Sequence, residues 1–214
     1  MSRIAIKICG LSTPETVGAA LRAEATHLGF VHFARSPRHV QIEQLHALAA
    51  PVPVHVGRVA VLVDPDDETL AALIASGALT ALQLHGKESA ERVTAIRARF
   101  GLPVWKAVSV KTRADIEAAS AYAGAADLLL FDAKTPDGAA LPGGMGLRFD
   151  WTLLRGARLS TPWALSGGLD AGNVADAIRL TGAPMVDVSS GVERAPGVKD
   201  VDKIAAFCNA VAAC

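Results

Sequence analysis

The chain has 214 residues, 51% hydrophobic and 20% charged, which supports a substantial core and argues against disorder. Its 21 basic and 21 acidic residues cancel to a net charge of +0, with no basic tract and only 5% aromatics, so nucleic acid is not the expected partner. No apolar run approaches the roughly 20 residues of a membrane span. Arg3 and Lys7 interrupt the start, so no signal peptide is visible, and the three cysteines, Cys9, Cys208 and Cys214, leave an odd thiol, as expected in a reducing cytoplasm.

Apolar strand-like runs near 3–9, 27–32, 55–63, 79–84, 103–108, 127–132, 162–166 and 185–189 alternate with helix-periodic segments. The helical segments lie near 14–23, 41–49, 67–75, 88–99, 112–121, 170–180 and 199–212, with a short helix starting near Asp150. Ser12-Thr13-Pro14-Glu15, Asp64-Pro65-Asp66-Asp67 and Asp170-Ala-Gly-Asn173 carry the caps and first-turn residues of helix starts. The stretch from His55 to Asp64 is long for one strand. Eight strands with alternating helices and no linker predict an α/β chain forming a single (β/α)8 TIM barrel over 1–214, ahead of an open doubly wound sheet.

In such barrels chemistry gathers at the C-terminal strand ends, and the loops after strands seven and eight commonly hold phosphate. Ser166-Gly167-Gly168-Leu169 leaves strand seven, and Ser189-Ser190-Gly191 leaves strand eight. Glycines let backbone N–H groups approach an anion, so these turns predict a phosphate site with Asp187 just before it.

The first strand ends Lys7-Ile8-Cys9-Gly10. Lys7 lies two residues before Cys9, on the same strand face, so its ammonium is expected beneath the thiol, favouring thiolate. Cys208 and Cys214, on the terminal helix, read as packing or surface residues, without the histidines of a zinc site. Asp132 closes the apolar run Leu128-Leu-Leu-Phe131, where partial desolvation favours a protonated acid; a loop-capping aspartate is the competing reading. Gln83 and His85 share a strand face, and Lys7, Gln83 and Asp187 are expected to form a polar network below the site. Arg38, in Arg35-Ser36-Pro37-Arg38, suits bidentate binding of a carboxylate. Pro142-Gly143-Gly144-Met145-Gly146 reads as a loop that covers a ligand.

Together these motifs resemble the phosphoribosylanthranilate isomerase family of tryptophan biosynthesis. The match runs in order through Lys7-Ile8-Cys9-Gly10, Gly29-Phe30, Ser36-Pro37-Arg38, Gln83-Leu84-His85-Gly86 and Phe131-Asp132. It continues through Gly143-Gly144-Met145-Gly146, Phe149-Asp150-Trp151, Ser166-Gly167-Gly168-Leu169 and Asp187-Val188-Ser189-Ser190-Gly191-Val192-Glu193. The resemblance implies a cofactor-free, metal-free Amadori rearrangement of a phosphosugar substrate, with a monomer or homodimer as the working unit. It implies Asp132 as general acid, Cys9 as general base, and Arg38 on the substrate carboxylate. Lys7, Gln83 and His85 support the substrate; Gly167, Gly168, Asp187, Ser189, Ser190 and Gly191 hold phosphate; and Gly143, Gly144 and Gly146 form a lid. The sister isomerase of histidine biosynthesis resembles this family but uses two aspartates and two phosphate sites, against which Cys9 and the single late phosphate signal argue. A thiamin phosphate synthase-like barrel would need acidic metal ligands that the sequence does not show, and a binding-only barrel would have lost Cys9 or Asp132.

Overall fold

A computed structural model describes residues 4–136, 141 and 143–214; Arg3 and Pro142, named above in the first strand and the glycine loop, lie outside them. Eight parallel strands pair in sequence order and close on themselves: β1 (Ala5–Cys9), β2 (His27–Val31), β3 (Gly57–Leu62), β4 (Ala81–Leu84), β5 (Val104–Val110), β6 (Leu128–Ala133), β7 (Trp163–Leu165) and β8 (Met185–Val188). The closed (β/α)8 barrel is therefore the fold, and the open sheet is not.

The strands read as continuous apolar runs because both of their faces are buried. Ile6 and Ile8 of β1 point outward into the large cluster shared with the helices. Val59, Ala81, Trp105, Ala107, Leu130, Ala164 and Met185 fill the lower barrel interior. His27 packs edge-on against Trp105 there, at a centroid distance of 5.2 Å. Burial, then the Lys7 charge, lowers the His27 pKa to about 4, so it is neutral at pH 7.

Helices α1 (Pro14–Arg22), α2 (Ile42–Ala49), α3 (Asp67–Ile74), α4 (Ala90–Phe100), α5 (Arg113–Ala118), α6 (Val174–Thr181) and α7 (Val201–Ala212) surround the strands. Thr13 and Asp66 cap α1 and α3 by accepting the amides of Thr16 and Thr69, as their positions predict. Four of the boundaries that differ from expectation bear on the site or its surroundings. The strand expected from 55 begins at Gly57, because the Val56 amide turns back to the Pro53 carbonyl. The segment near 112–121 divides into α5 and a 3-10 turn, Ala119–Tyr122. The helix expected from 170 starts at Val174, since Asp170-Ala-Gly-Asn173 forms its own turn, with Asn173 Oδ1 accepting the Asp170 amide. The helix expected from 199 starts at Val201, because Lys199 belongs to a small antiparallel hairpin of β9 (Glu193–Ala195) and β10 (Val198–Lys199) that the sequence reading missed. Between β6 and β7 the short helix near Asp150 is a 3-10 turn, Trp151–Leu154, capped by Asp150.

The seam between β1 and β8 carries the deepest charges of the molecule. Lys7 pairs in register with Asp187, and its ammonium donates to Asp187 Oδ1 at 2.7 Å; Lys7 is fully buried. Ser166 Oγ lies 3.2 Å from the other Asp187 oxygen. Burial opposes the Lys7 charge, but Asp187 and the neighbouring Cys9 outweigh it and hold the ammonium above its usual range. Removing one partner of such a pair leaves an uncompensated buried charge, typically costing about 3–5 kcal/mol. Asp187→Ala is accordingly expected to lower the unfolding free energy read from a urea titration by an amount in that range, and an unchanged free energy would show that the pair is dispensable to the barrel.

Candidate active site

Most of the candidate residues line one cavity at the C-terminal mouth of the barrel: Cys9, Arg38, Gln83, His85, Asp132, the Gly143–Gly146 loop, Gly167, Gly168, Ser189 and Ser190. Cys9 ends β1 on an apolar collar of Val31, Val61 and Phe33. The next residue must be glycine: Gly10 has φ +78°, and a Cβ there would stand 2.6 Å from the Arg38 Cδ. The chain thus turns sharply past the thiol and lets the arginine stem cross over it.

Lys7 favours the Cys9 thiolate as its position predicts, but other influences outweigh it. Burial is the largest influence on Cys9 and pushes its thiol up; Lys7 and Lys199 pull it down, while Asp187 pushes it up again. Lys7 lies beneath Cys9 as its spacing predicts, but its ammonium is committed to Asp187, which weakens its help to a thiolate. A thiol shifted in that direction favours its protonated form near neutral pH.

Asp132 ends β6 almost fully buried. Its Oδ1 accepts the Ala133 amide at 2.8 Å. His85 Nε2 lies 3.3 Å from Oδ2, off the line of a good hydrogen bond and with no other partner among the described residues. Gln83 Nε2 lies 3.2 Å from His85 Nδ1. A Gln83 amide that donates to Nδ1 leaves the imidazole proton on Nε2, facing Asp132. Gln83 therefore belongs to a chain with His85 and Asp132 rather than to the expected network with Lys7 and Asp187. Its Oε1 is buried, cavity-facing and unpartnered among the described residues, which suits a ligand hydroxyl.

Two residues expected at the phosphate turns do different work. The carboxylate of Asp187 is spent on Lys7 and Ser166, and an acidic group so placed would repel an anion. Gly191 does not line the cavity; a Cβ there would run into the Leu169 carbonyl, so its small size lets the β8 turn abut the β7 turn. Gly167, Gly168, Ser189 and Ser190 remain facing the cavity. Asn173 Nδ2 and Arg148 Nε both donate to the Gly168 carbonyl at 3.1 Å, which pins the first turn.

Arg38 is buried at the mouth, in contrast to a solvated loop residue. Its Nε and Nη2 donate to the two Glu193 oxygens at 2.7 and 2.8 Å, and Nη2 also donates to the Gly144 carbonyl at 2.9 Å. Nη1 is the edge left for a ligand. Burial opposes the Glu193 charge, but Arg38 and Lys199 hold its carboxyl below its usual range.

Sequence reasoning missed Glu193 and Lys199 as site-building groups, along with Arg148 and Glu88. Glu88 collects the amides of Asp64 and Gly86 and an ion pair from Lys106, whose ammonium also donates to the Gly86 carbonyl. These bonds pin the turn that presents His85. The one local signal was Glu88 standing three residues after His85 and immediately before a helix cap.

Comparison with known proteins follows the same line. The family model described as N-(5'-phosphoribosyl)anthranilate (PRA) isomerase matches residues 6–210. The N-(5'-phosphoribosyl)anthranilate isomerase of Zymomonas mobilis is 54% identical over 206 residues, covering 96% of each chain. The structure of phosphoribosyl anthranilate isomerase from Thermotoga maritima superposes with a TM-score of 0.88 at 35% identity, covering 100% of both chains. Another isomerase of this name, solved with reduced 1-(o-carboxyphenylamino)-1-deoxyribulose 5-phosphate, gives a TM-score of 0.83 at 32% identity over 100% of both chains. A further Thermotoga maritima structure, of monomers generated from a dimeric isomerase, gives 0.82 at 33% identity over 100% of both chains.

The raised Cys9 thiol is accessible to a direct measurement. Iodoacetamide near neutral pH is expected to label exposed Cys214 first and buried Cys9 at least about tenfold more slowly, with Cys9 labelling accelerating as pH rises. Peptide mapping over time reads both sites; Cys9 labelling as fast as Cys214 near pH 7 would contradict a thiol held protonated by burial.

Proposed function

This chain belongs to the N-(5'-phosphoribosyl)anthranilate isomerase family, the enzymes that convert N-(5-phosphoribosyl)anthranilate to 1-(2-carboxyphenylamino)-1-deoxyribulose 5-phosphate in tryptophan biosynthesis, and we propose that Asp132 and Cys9 are the acid and base of that rearrangement here. The carrying observation is that the two groups stand at the C-terminal ends of different strands, β6 and β1, yet line one cavity and are both almost fully buried.

Asp132 gives its proton to the ribose ring oxygen. The C1–O bond breaks, and the anilino nitrogen lone pair forms a protonated Schiff base at C1. That cation makes the proton on C2 acidic. The Cys9 thiolate takes this proton, and the electron pair flows into C1–C2 to give an enolamine. Protonation at C1 and loss of the C2 hydroxyl proton then yield the ketone. The proton leaving Asp132 is matched by the one arriving on Cys9, so substrate and product are isomers. Burial makes the thiolate scarce but also makes each thiolate a stronger base, in keeping with Brønsted behaviour.

Binding follows the charges. The anthranilate carboxylate meets Arg38 through Nη1, and the phosphate meets the backbone N–H groups and hydroxyls of the Gly167-Gly168 and Ser189-Ser190 turns. Gly143, Gly144 and Gly146 cover the ligand: Gly143 already lies against Asp132 and His85, and Gly144 is bonded to Arg38. The mechanism needs no cofactor and no metal. No helix among the described residues is long and apolar enough to cross a membrane. A cytoplasmic monomer or homodimer fits the reading, and light scattering on the purified chain separates the two.

Cys9→Ser and Asp132→Asn are each expected to lower kcat by about 10²–10⁴-fold while ligand affinity changes little, since each removes one proton transfer. The assay is loss of anthranilate-type fluorescence on adding the purified chain to phosphoribosylanthranilate generated in situ. Near-normal turnover in either variant would remove that residue from its role.

A further inference from the structure

The hairpin between β8 and α7 carries two buried charges that the rearrangement itself does not use. Glu193 opens β9 and accepts from four donors: Arg38 Nε and Lys199 Nζ on Oε1, both at 2.7 Å, and Arg38 Nη2 at 2.8 Å and the Gly197 amide at 3.2 Å on Oε2. Lys199 closes β10 and spends all three of its protons: on Glu193, on the Ser189 carbonyl at 2.9 Å and on the Ser189 hydroxyl oxygen at 3.2 Å. Each group is fully satisfied and almost fully buried.

We propose that Glu193 and Lys199 are positioning residues that lock the two anion-binding ends of the site into one rigid unit, Glu193 by presenting the Nη1 edge of Arg38 and Lys199 by presenting the hydroxyl of Ser189 as a donor. This rests on the reading that Arg38 meets the substrate carboxylate and the Ser189 turn meets its phosphate.

Three observations carry it. A guanidinium gripped through Nε and Nη2 cannot rotate, so its remaining edge has one direction. A serine oxygen that accepts from an ammonium keeps its own proton for another acceptor, and Ser189 lines the cavity. Two cations share one carboxylate here, which leaves one positive charge over for an anionic ligand. The hairpin is also welded to the loop that bears Arg38. A Cβ at Gly197 would overlap the Pro37 carbonyl, so only glycine lets the two backbones meet. Burial pulls the Lys199 pKa down although Glu193 raises it, which makes Lys199 sensitive to loss of its partner.

The test uses anthranilate and inorganic phosphate as separate competitive inhibitors, one for each end. Glu193→Gln keeps the shape and removes the charge; it is expected to raise KM and the anthranilate inhibition constant about tenfold or more, with kcat within about threefold. Lys199→Met should weaken phosphate inhibition by a similar factor, and it remains informative should Glu193→Gln not fold. Thermal melts accompany each variant. Lower melting with unchanged inhibition constants in both variants would overturn the proposal and leave only a structural tie. Arg38→Ala separates the two layers. If it leaves anthranilate inhibition untouched, the carboxylate reading of Arg38 fails, and the positioning role of Glu193 with it. If it weakens anthranilate while Glu193→Gln does not, the positioning role alone fails.

Discussion

The pairing of Lys7 with Asp187 governs the rest of the site. It crosses the seam where β1 meets β8, so the bond that joins the barrel's first strand to its last is also the floor of the catalytic mouth. Two charges this deep persist only because each neutralises the other, and the geometry must be tight for the attraction to offset desolvation. The cost shows one layer higher. Lys7 favours ionisation of Cys9, but its partner Asp187 opposes it and burial, the largest influence, sets the thiol's character. In the proposed role of base, a thiol shifted this way is seldom ionised and strong when it is.

The acid side is built by another rule. Asp132 is held by a neighbouring backbone amide and faced by an imidazole whose far nitrogen is engaged by Gln83. Behind them, Glu88 and Lys106 fasten the turn after β4. Nothing on this side supplies a full charge to the carboxyl. Its position is fixed by a chain of oriented dipoles, which need not reorganise as a proton moves. Acid and base thus differ in support: a dipole chain holds one, and a neutralised ion pair underlies the other.

What the sequence made legible follows from how local each signal is. Strand ends such as Cys9-Gly10 and Phe131-Asp132, and the turns at Gly167-Gly168 and Ser189-Ser190, carry their meaning within a few residues, and Cys9, Asp132 and the four turn residues face the cavity. The eight strands were readable because a strand buried on both faces is apolar throughout. Of the expected network of Lys7, Gln83 and Asp187, the Lys7–Asp187 contact is present; the further reading of Asp187 as a phosphate group rested on adjacency to a turn, which says nothing of side-chain direction, while register with Lys7 turns its carboxylate toward that ammonium. Gln83 was assigned the wrong partner because its strand face was clear but its reach was not. Glu193 grips Arg38 across 155 positions of chain, and no periodicity or spacing encodes a contact of that range. The hairpin of β9 and β10 was invisible for a related reason: at three and two residues its strands are too short to show alternation.

The distribution of charge follows from these constraints. The floor is neutral as a pair, Glu88 and Lys106 behind Asp132 neutralise each other, and the surplus positive charge lies where Arg38 and Lys199 share Glu193. On the proposed reading, a substrate with an anion at each end is drawn to the rim, its carboxylate to Arg38 and its phosphate to the Ser189 turn. Seating those anions directly beside the thiol would raise its pKa still further and deplete the base. Keeping the cationic surplus at the ends lets binding be electrostatic while the reacting carbons lie over a nearly neutral floor. In that setting the largest charge to develop in the proposed mechanism is the transient cation of the opened sugar, and the proton transfer proposed for the Cys9 thiolate is the step that quenches it.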